Sequence, residues 1–381
     1  MRRFLTRLPL FAVLSVFAQP ILAQDQDLTP DEYRAEKAAE VREYIAGAGD
    51  TVGIACYRAD QPTLGVFANA DQQFPLASTI KIMILGVYAQ GAASGRFDPT
   101  ERISLDDLDA YYLPGTDRGA HPTFLDSVQP DFNNTISLLD VVYGMIRYSS
   151  NAATDYLHAR MTDADFEAFY DLMGVANTEL PISILGLFLA QDNHETGISD
   201  ATMDRDELRA SAADWEAKYV NDAEWRARER LYHRGNTRRY LAEGLQIIPT
   251  QQAFFEKYDT RGTPNDFAHL MAALIRGDTL SATAGAVMRA VLSWPMQFET
   301  NRENFFTIGL KGGSFPGIIT GAYFAQPKGG QPLVLAIFYH DLPQEQYTTW
   351  LQDFEHQELD FYVLINGCDS LSGLNTIAPG P

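Results

Sequence analysis

The spacing of apolar residues changes twice along this chain and divides it into three stretches. The first opens with helical spacing over residues 30–48, with Pro30 near its start and Gly47 and Gly49 near its stop. Residues 51–58 and 64–68 then read as two short strands. The middle stretch is helical. After Ser78, the run through Ile80, Ile82, Met83, Leu85, Gly86 and Val87 is apolar nearly all round, which predicts a buried helix. Residues 101–130 read as loops with local helices. Residues 134–147 form a further helix with Leu138, Leu139, Val142, Met145 and Ile146 on its core face, and residues 164–173 another. Residues 190–250 differ: they are charged and carry Trp215, Trp225 and a basic run at Arg226, Arg228, Arg230, Arg234, Arg238 and Arg239. Such a pattern suits an inserted helical subdomain or lid with a solvated face, ahead of an anion site. Clean amphipathic spacing returns at 264–277 and 281–293, with Ser281 as an N-cap.

The third stretch changes character. Residues 305–311, 317–325 and 332–339 read as strands, the last two joined by Pro327-Lys-Gly-Gly, and a helix follows at 344–361. Two strands early and three late complete a single antiparallel five-stranded sheet when the ends meet, with helices packed around it. The expected class is therefore α+β. One domain, 24–381, comprises an α/β lobe (about 30–70 and 262–362) and a helical lobe (about 71–261), with the insertion at about 190–250.

The extreme N-terminus reads as a leader. Arg2, Arg3 and Arg7 precede an apolar core from Leu8 to Ala18, and Ile21-Leu22-Ala23 is an acceptable cleavage end, so residues 1–23 are expected to be a signal peptide. That predicts a periplasmic or secreted protein, with no stable membrane insertion after cleavage. A formal charge of -21 makes nucleic acid a poor partner. Export permits a disulfide between the only cysteines, Cys56 and Cys368; two separate buried thiols are the other reading. His121, His158, His194, His233, His269, His340 and His356 show no ligand spacing, so neither a metal nor another cofactor is expected.

Ser78 and Lys81 stand three residues apart, on one face of a helix. An alcohol needs a nearby base to attack a carbonyl at neutral pH, and backbone N–H groups at a helix start stabilise the oxyanion that forms. Taken alone, the pair is common and reads first as a buried cap followed by a surface lysine. Ser149 and Asn151 bracket Ser150 at a helix break, where alternate side chains can enter one cleft. The structural reading of that segment is a cap. Lys311-Gly312-Gly313-Ser314 closes a strand; a lysine there sets a positive potential, and the glycines admit a ligand close to the backbone.

In this order, Ser78-Thr-Ile-Lys81, Ser149-Ser-Asn151 and Lys311-Gly-Gly313 resemble the S-x-x-K, S-D-N and K-T-G elements of the penicillin-binding protein and serine β-lactamase superfamily, especially its class A-like branch. Asp107-Leu-Asp-Ala-Tyr-Tyr-Leu-Pro looks like the family loop that sets an aromatic beside the substrate, with Tyr111 as its match. Ile136-Ser-Leu-Leu-Asp-Val-Val and Gly262-Thr-Pro-Asn-Asp-Phe-Ala resemble flanking helix starts, and the likeness covers most of residues 30–362 outside the insertion. The resemblance implies a β-lactamase/transpeptidase-like fold. It implies Ser78 as nucleophile, Lys81 as base assisted by Ser149 and Asn151, Lys311 as the group orienting an acidic substrate end, and the N–H groups of Ser78 and Ser314 as oxyanion hole. Tyr111, Gly312, Gly313 and Ser314 would contact substrate.

The chain departs from the pattern at three places. Ser150 replaces the S-D-N aspartate and Gly312 the K-T-G threonine. The third departure concerns the class A deacylating glutamate, which follows the S-D-N helix. Here Met173-Gly-Val-Ala-Asn-Thr-Glu-Leu-Pro181 leads into the apolar run Ile182-Ser-Ile-Leu-Gly-Leu-Phe-Leu-Ala, which has no acid. Glu179 comes too early and reads as a loop brace, which leaves Glu195 or Glu207 to fold back. The expectation is an exported serine hydrolase acting on an amide or ester, D,D-peptidase-like or esterase-like, with a small-molecule or peptide substrate bearing an acidic group. A class A-like β-lactamase with an altered deacylation loop and a noncatalytic penicillin- or peptidoglycan-binding sensor are the alternatives.

Overall fold

The computed structural model describes residues 29–199, 201–242, 249–278 and 280–374, with the side chains of 235–242 left out. The expected leader and the side chains of Arg238 and Arg239 therefore lie outside what is described.

Five antiparallel strands form the central sheet, in the order Gly65–Ala68, Val52–Arg58, Leu333–Tyr339, Ile318–Pro327 and Phe305–Phe315. The register explains why both ends of the chain are needed: Val52 faces Tyr339 and Arg58 faces Leu333, so the two early strands join the three late ones along this single seam. Alternation then assigns each face. Ala55, Tyr57, Val334, Ala336 and Phe338 point into the core shared with the helical lobe. Ile54, Cys56, Leu335, Ile337 and Tyr339 point to the opposite face. There the helices Pro30–Gly47 and Glu355–Asn366 pack against each other and against the sheet. Helices on both faces explain why the central strands are buried almost throughout.

Helix boundaries follow capping chemistry more closely than apolar spacing. The expected helix at 134–147 begins only at Leu138. Ser137 and Asp140 form a reciprocal capping box there, and Thr135–Ser137 is a short strand paired with Arg102–Ser104. Asn134, at φ +61°, ends any helix before it. The expected final helix is two, Gln344–Asp353 and Glu355–Asn366, separated by Phe354 at φ +57°. Ser281 accepts from the Ala284 N–H and caps the Ala282–Leu292 helix.

Cys56 and Cys368 are joined, across a sequence separation of 312 residues. The charged insertion comprises the helices Arg205–Asn221 and Ala223–Ala242. Its arginines do not form a uniform solvated face. Arg228 and Arg234 are exposed, but Arg226 donates to the Tyr219 and Val220 carbonyls, and Arg230 is turned inward onto Asp109.

Candidate active site

Ser78 lies in a single 3₁₀ turn, Ala77–Ile80, that runs directly into the Lys81–Ser94 helix. Three contacts hold this turn from outside. The Ala77 N–H donates to Asp259 Oδ2 at 2.6 Å in a buried setting, and Ala77 itself has φ +45°. A residue in that backbone region persists only where its surroundings enforce it. Thr320, on the adjacent strand, donates to the Leu76 carbonyl at 2.8 Å, so the Thr79 hydroxyl is the donor in the 2.7 Å contact between the two threonines. Gly313 completes the seam: a Cβ there would fall 2.5 Å from the Ser78 nitrogen and 2.8 Å from that of Thr79. The glycine is thus required by the approach of the Ser78 backbone, whereas the sequence reading attributed it to a ligand. Gly312 is less crowded, its nearest neighbour being the Thr320 carbonyl at 3.4 Å. Ser314 follows on the same strand, beside the turn.

The second element supplies the polar cluster. Ser149 occupies φ +63° between the helices Leu138–Arg147 and Asn151–His158, which turns its hydroxyl back toward Lys81. The Lys81 ammonium donates to the Ser149 carbonyl at 2.7 Å, to Asn151 Oδ1 at 2.8 Å and to Ser149 Oγ at 3.2 Å. The Lys311 ammonium reaches the same Ser149 Oγ at 3.0 Å and also donates to the Gly312 carbonyl. Two lysines therefore converge on one hydroxyl. Both are buried, and both are pulled below the ordinary lysine range. For Lys81 burial outweighs the opposing pull of Asp155 and Asp117 and brings it down to about 7. For Lys311 burial acts first and the neighbouring Lys81 second. The Ser78 hydroxyl is half-buried, and among the described residues it is not hydrogen-bonded to Lys81. Ser150 points away from this cluster. It caps the Asn151–His158 helix and contacts His121 Nδ1 at 2.9 Å.

The Tyr111 loop and the apolar run have a different character. Tyr111 is half-buried and packs edge-on to Tyr156, with ring centroids 5.8 Å apart. The apolar run folds as the Ile184–Gln191 helix, whose first N–H groups, from Ile184 and Leu185, are accepted by the two oxygens of Asp155 at 2.9 and 2.8 Å. Neither acid proposed to fold back joins the Ser78 cluster. Glu195 is held by Lys218 at 2.6 Å and by the Trp225 indole at 2.8 Å. Glu207 is exposed in the capping box of the Arg205–Asn221 helix. Glu179 accepts from the Arg261 N–H at 2.9 Å and pairs with Arg205, bracing the loop. An acid that the sequence reading passed over, Glu216, is bonded to Ser183, and its Oε1 is buried without a partner among the described residues. Burial, and then Asp155, raise its carboxyl to about 8, so it is largely protonated at neutral pH. Asp155 is raised to about 7, chiefly by burial.

The profile of the beta-lactamase enzyme family matches residues 36–353, a span that includes every element of this cluster. The chain belongs to that family. It is a serine hydrolase of the β-lactamase and penicillin-binding protein superfamily. Similar solved structures include a beta-lactamase from Sphaerobacter thermophilus, at 18% identity and TM-score 0.54, covering 91% of this chain and 99% of that one. A class A beta-lactamase mutant of the last common ancestor of Gram-negative bacteria aligns at 16% identity and TM-score 0.51, over 86% of this chain and 98% of that one. A mutant of PBP-A, in acyl-enzyme complex with penicillin G, aligns at 16% identity and TM-score 0.48, over 86% and 96%. Among curated proteins nothing matches. At these identities the likeness to solved structures establishes the β-lactamase/transpeptidase-like fold of this family member and leaves its substrate to the site itself.

Two groups that hold the nucleophile turn, Asp259 and Thr320, were not found by sequence reasoning. Asp259 is buried, and burial raises it to about 7 against the hydrogen bonds it accepts from Ala77 and Thr260. Its only local signal is that it shortly precedes the Gly262-Thr-Pro helix start.

Proposed function

We propose that this protein is an exported serine hydrolase that forms an acyl-enzyme at Ser78 from an amide or ester bearing a negative end. The observation that carries the reading is the convergence on Ser149 Oγ of Lys311 and of Lys81, which stands three residues along the chain from Ser78. Lys81, brought near 7, is a base at neutral pH, which is what a serine nucleophile requires. The neutral amine takes the Ser78 proton as Oγ bonds to the substrate carbonyl carbon. The oxyanion faces the N–H groups of Ser78 and Ser314. Ser149, bridged to both lysines, passes a proton to the leaving nitrogen or oxygen as its bond to the carbonyl carbon breaks. Asn151 holds Lys81 through its Oδ1, and the amide N–H not given to Thr116 would serve the substrate. Lys311 draws in the substrate's anionic end. Water then cleaves the Ser78 ester.

Among such substrates, the apolar Ile184–Gln191 wall favours a D,D-peptidase-like or esterase-like role, in which the acyl group leaves without a carboxylate base set opposite Ser78. Intact-mass analysis after exposure to a fluorophosphonate and to penicillin G tests the reading. A single adduct mapped to Ser78 is expected; folded protein that takes up neither reagent overturns it. The family match favours one second reading, a β-lactamase with a rebuilt deacylation wall. Sustained turnover of a chromogenic cephalosporin supports that reading, and a stable penicillin adduct rejects it.

A further inference from the structure

The inserted helices do more than cover the molecule. Arg230, on the Ala223–Ala242 helix, donates through Nη1 to Asp109 Oδ2 at 2.8 Å and through Nη2 to the Asp109 carbonyl. Its Nε donates to the Tyr219 hydroxyl at 2.9 Å, and that hydroxyl in turn donates to the Tyr112 carbonyl. One guanidinium and one phenol, from the two inserted helices, thus grip the backbone on both sides of Tyr111. Leu113 continues the contact by packing with Leu185, Leu189, Tyr219 and Trp225. The same segment reaches the catalytic cluster at its other end: the Thr116 carbonyl accepts from Asn151 Nδ2 at 3.3 Å, and Asn151 holds Lys81.

We propose that Arg230 and Tyr219 are positioning residues for substrate recognition. The insertion clamps residues 109–113, and the clamp fixes Tyr111 beside the substrate site. This rests on the reading of Tyr111 as the residue flanking the substrate. A planar guanidinium with two N–H groups on one residue and a third on a phenol restrains a loop far better than a single contact does. Side-chain truncation releases the loop, and the cost falls on substrates large enough to touch Tyr111. A small reagent that needs only Ser78 and its base is spared. The insertion therefore acts on specificity and leaves the reacting groups in place.

The test compares wild type with Arg230→Ala, Arg230→Lys and Tyr219→Phe. Penicillin G, which carries a bulky acyl side chain, and a small alkyl fluorophosphonate are the probes. For Arg230→Ala the saturation constant for penicillin G acylation rises about tenfold while its limiting rate stays within about twofold, the signature of lost binding alone. Fluorophosphonate labelling of Ser78 stays within about twofold of wild type. Arg230→Lys recovers part of the loss, and Tyr219→Phe, which deletes only one hydroxyl, shows a smaller rise of about threefold. An unchanged penicillin saturation constant in all three variants overturns the proposal, as does a parallel fall in fluorophosphonate labelling. Hydrogen exchange across residues 109–116 provides a readout independent of the chemistry: it quickens in Arg230→Ala if the clamp exists, and identical protection rejects it. A wild type labelled by neither reagent overturns the acyl-enzyme reading, while the exchange result still decides the clamp.

Discussion

The two sides of the cleft are built on opposite principles. On one side, Lys81, Ser149, Asn151 and Lys311 are buried, mutually hydrogen-bonded polar groups, and the nucleophile turn is pinned by Asp259, Thr320 and Gly313. Their mutual positions are fixed before substrate arrives, the preorganisation that electrostatic catalysis depends on. On the other side stand an apolar helix and an aromatic loop. The acids there are engaged elsewhere: Asp155 satisfies a helix start, Glu179 and Glu195 are paired with cations, Glu207 forms a cap, and Glu216 is protonated. The difference teaches that formation of the acyl-enzyme and its removal are separate structural problems in this fold. In this chain the groups proposed for the first lie together around Ser149, while each of the acids Asp155, Glu179, Glu195 and Glu207 is tied up by other partners.

The comparison breaks most sharply at Ser78. Ser78→Ala should abolish every covalent adduct with fluorophosphonate or penicillin G in intact-mass spectra; a surviving adduct would move the chemistry to another residue. Lys81→Ala comes next, and stopped-flow acylation should slow by about 10²–10⁴-fold, the usual contribution of a positioned proton acceptor. The pH dependence sharpens the picture further. Burial lowers Lys81 to about 7, so the ammonium form, useless as a base, prevails below that pH. Acylation should therefore rise about tenfold per pH unit up to 7 and level off above it. Asp155 favours the charged form of Lys81, so Asp155→Asn should move the midpoint to lower pH. A rate independent of pH from 5 to 9 would remove Lys81 from the base role. The smallest effect is expected at Glu216. Raised to about 8, it is mostly a neutral acid at pH 7. Glu216→Gln should leave acyl-enzyme decay, followed by mass spectrometry over time, within about twofold of wild type. A tenfold slower decay would overturn the contrast and make this wall catalytic.

Much of this was legible in the sequence because it is written locally. Short apolar runs in 51–58 and 332–339 marked the strands of the sheet, and the order of three short motifs picked out residues that the fold brings together around Ser149. What escaped is long-range or conformational. Nothing near Ala77 announces that Asp259, 182 residues away, holds its N–H. The start of the helix at Leu138 depended on a reciprocal cap, which wins over apolar spacing because it satisfies otherwise orphaned backbone donors. The arginines of the insertion read as solvated because helical spacing alone does not reveal a partner such as Asp109 on a distant loop. Gly313 was recognised as necessary, yet the neighbour that makes it so, the Ser78 backbone, became visible only in three dimensions.

The pairing of Val52–Arg58 with Leu333–Tyr339, secured by the Cys56–Cys368 link, sets the order of events when the chain is made. Val52–Arg58 is synthesised early, and its neighbour Leu333–Tyr339, the middle strand of the sheet, emerges only some 280 residues later. Closing so large a loop is slow, because its entropy must be lost before the contact is gained. Until then Val52–Arg58 has an open edge that invites the wrong partner. This molecule assembles last at its centre, and its native sheet is a product of the finished chain.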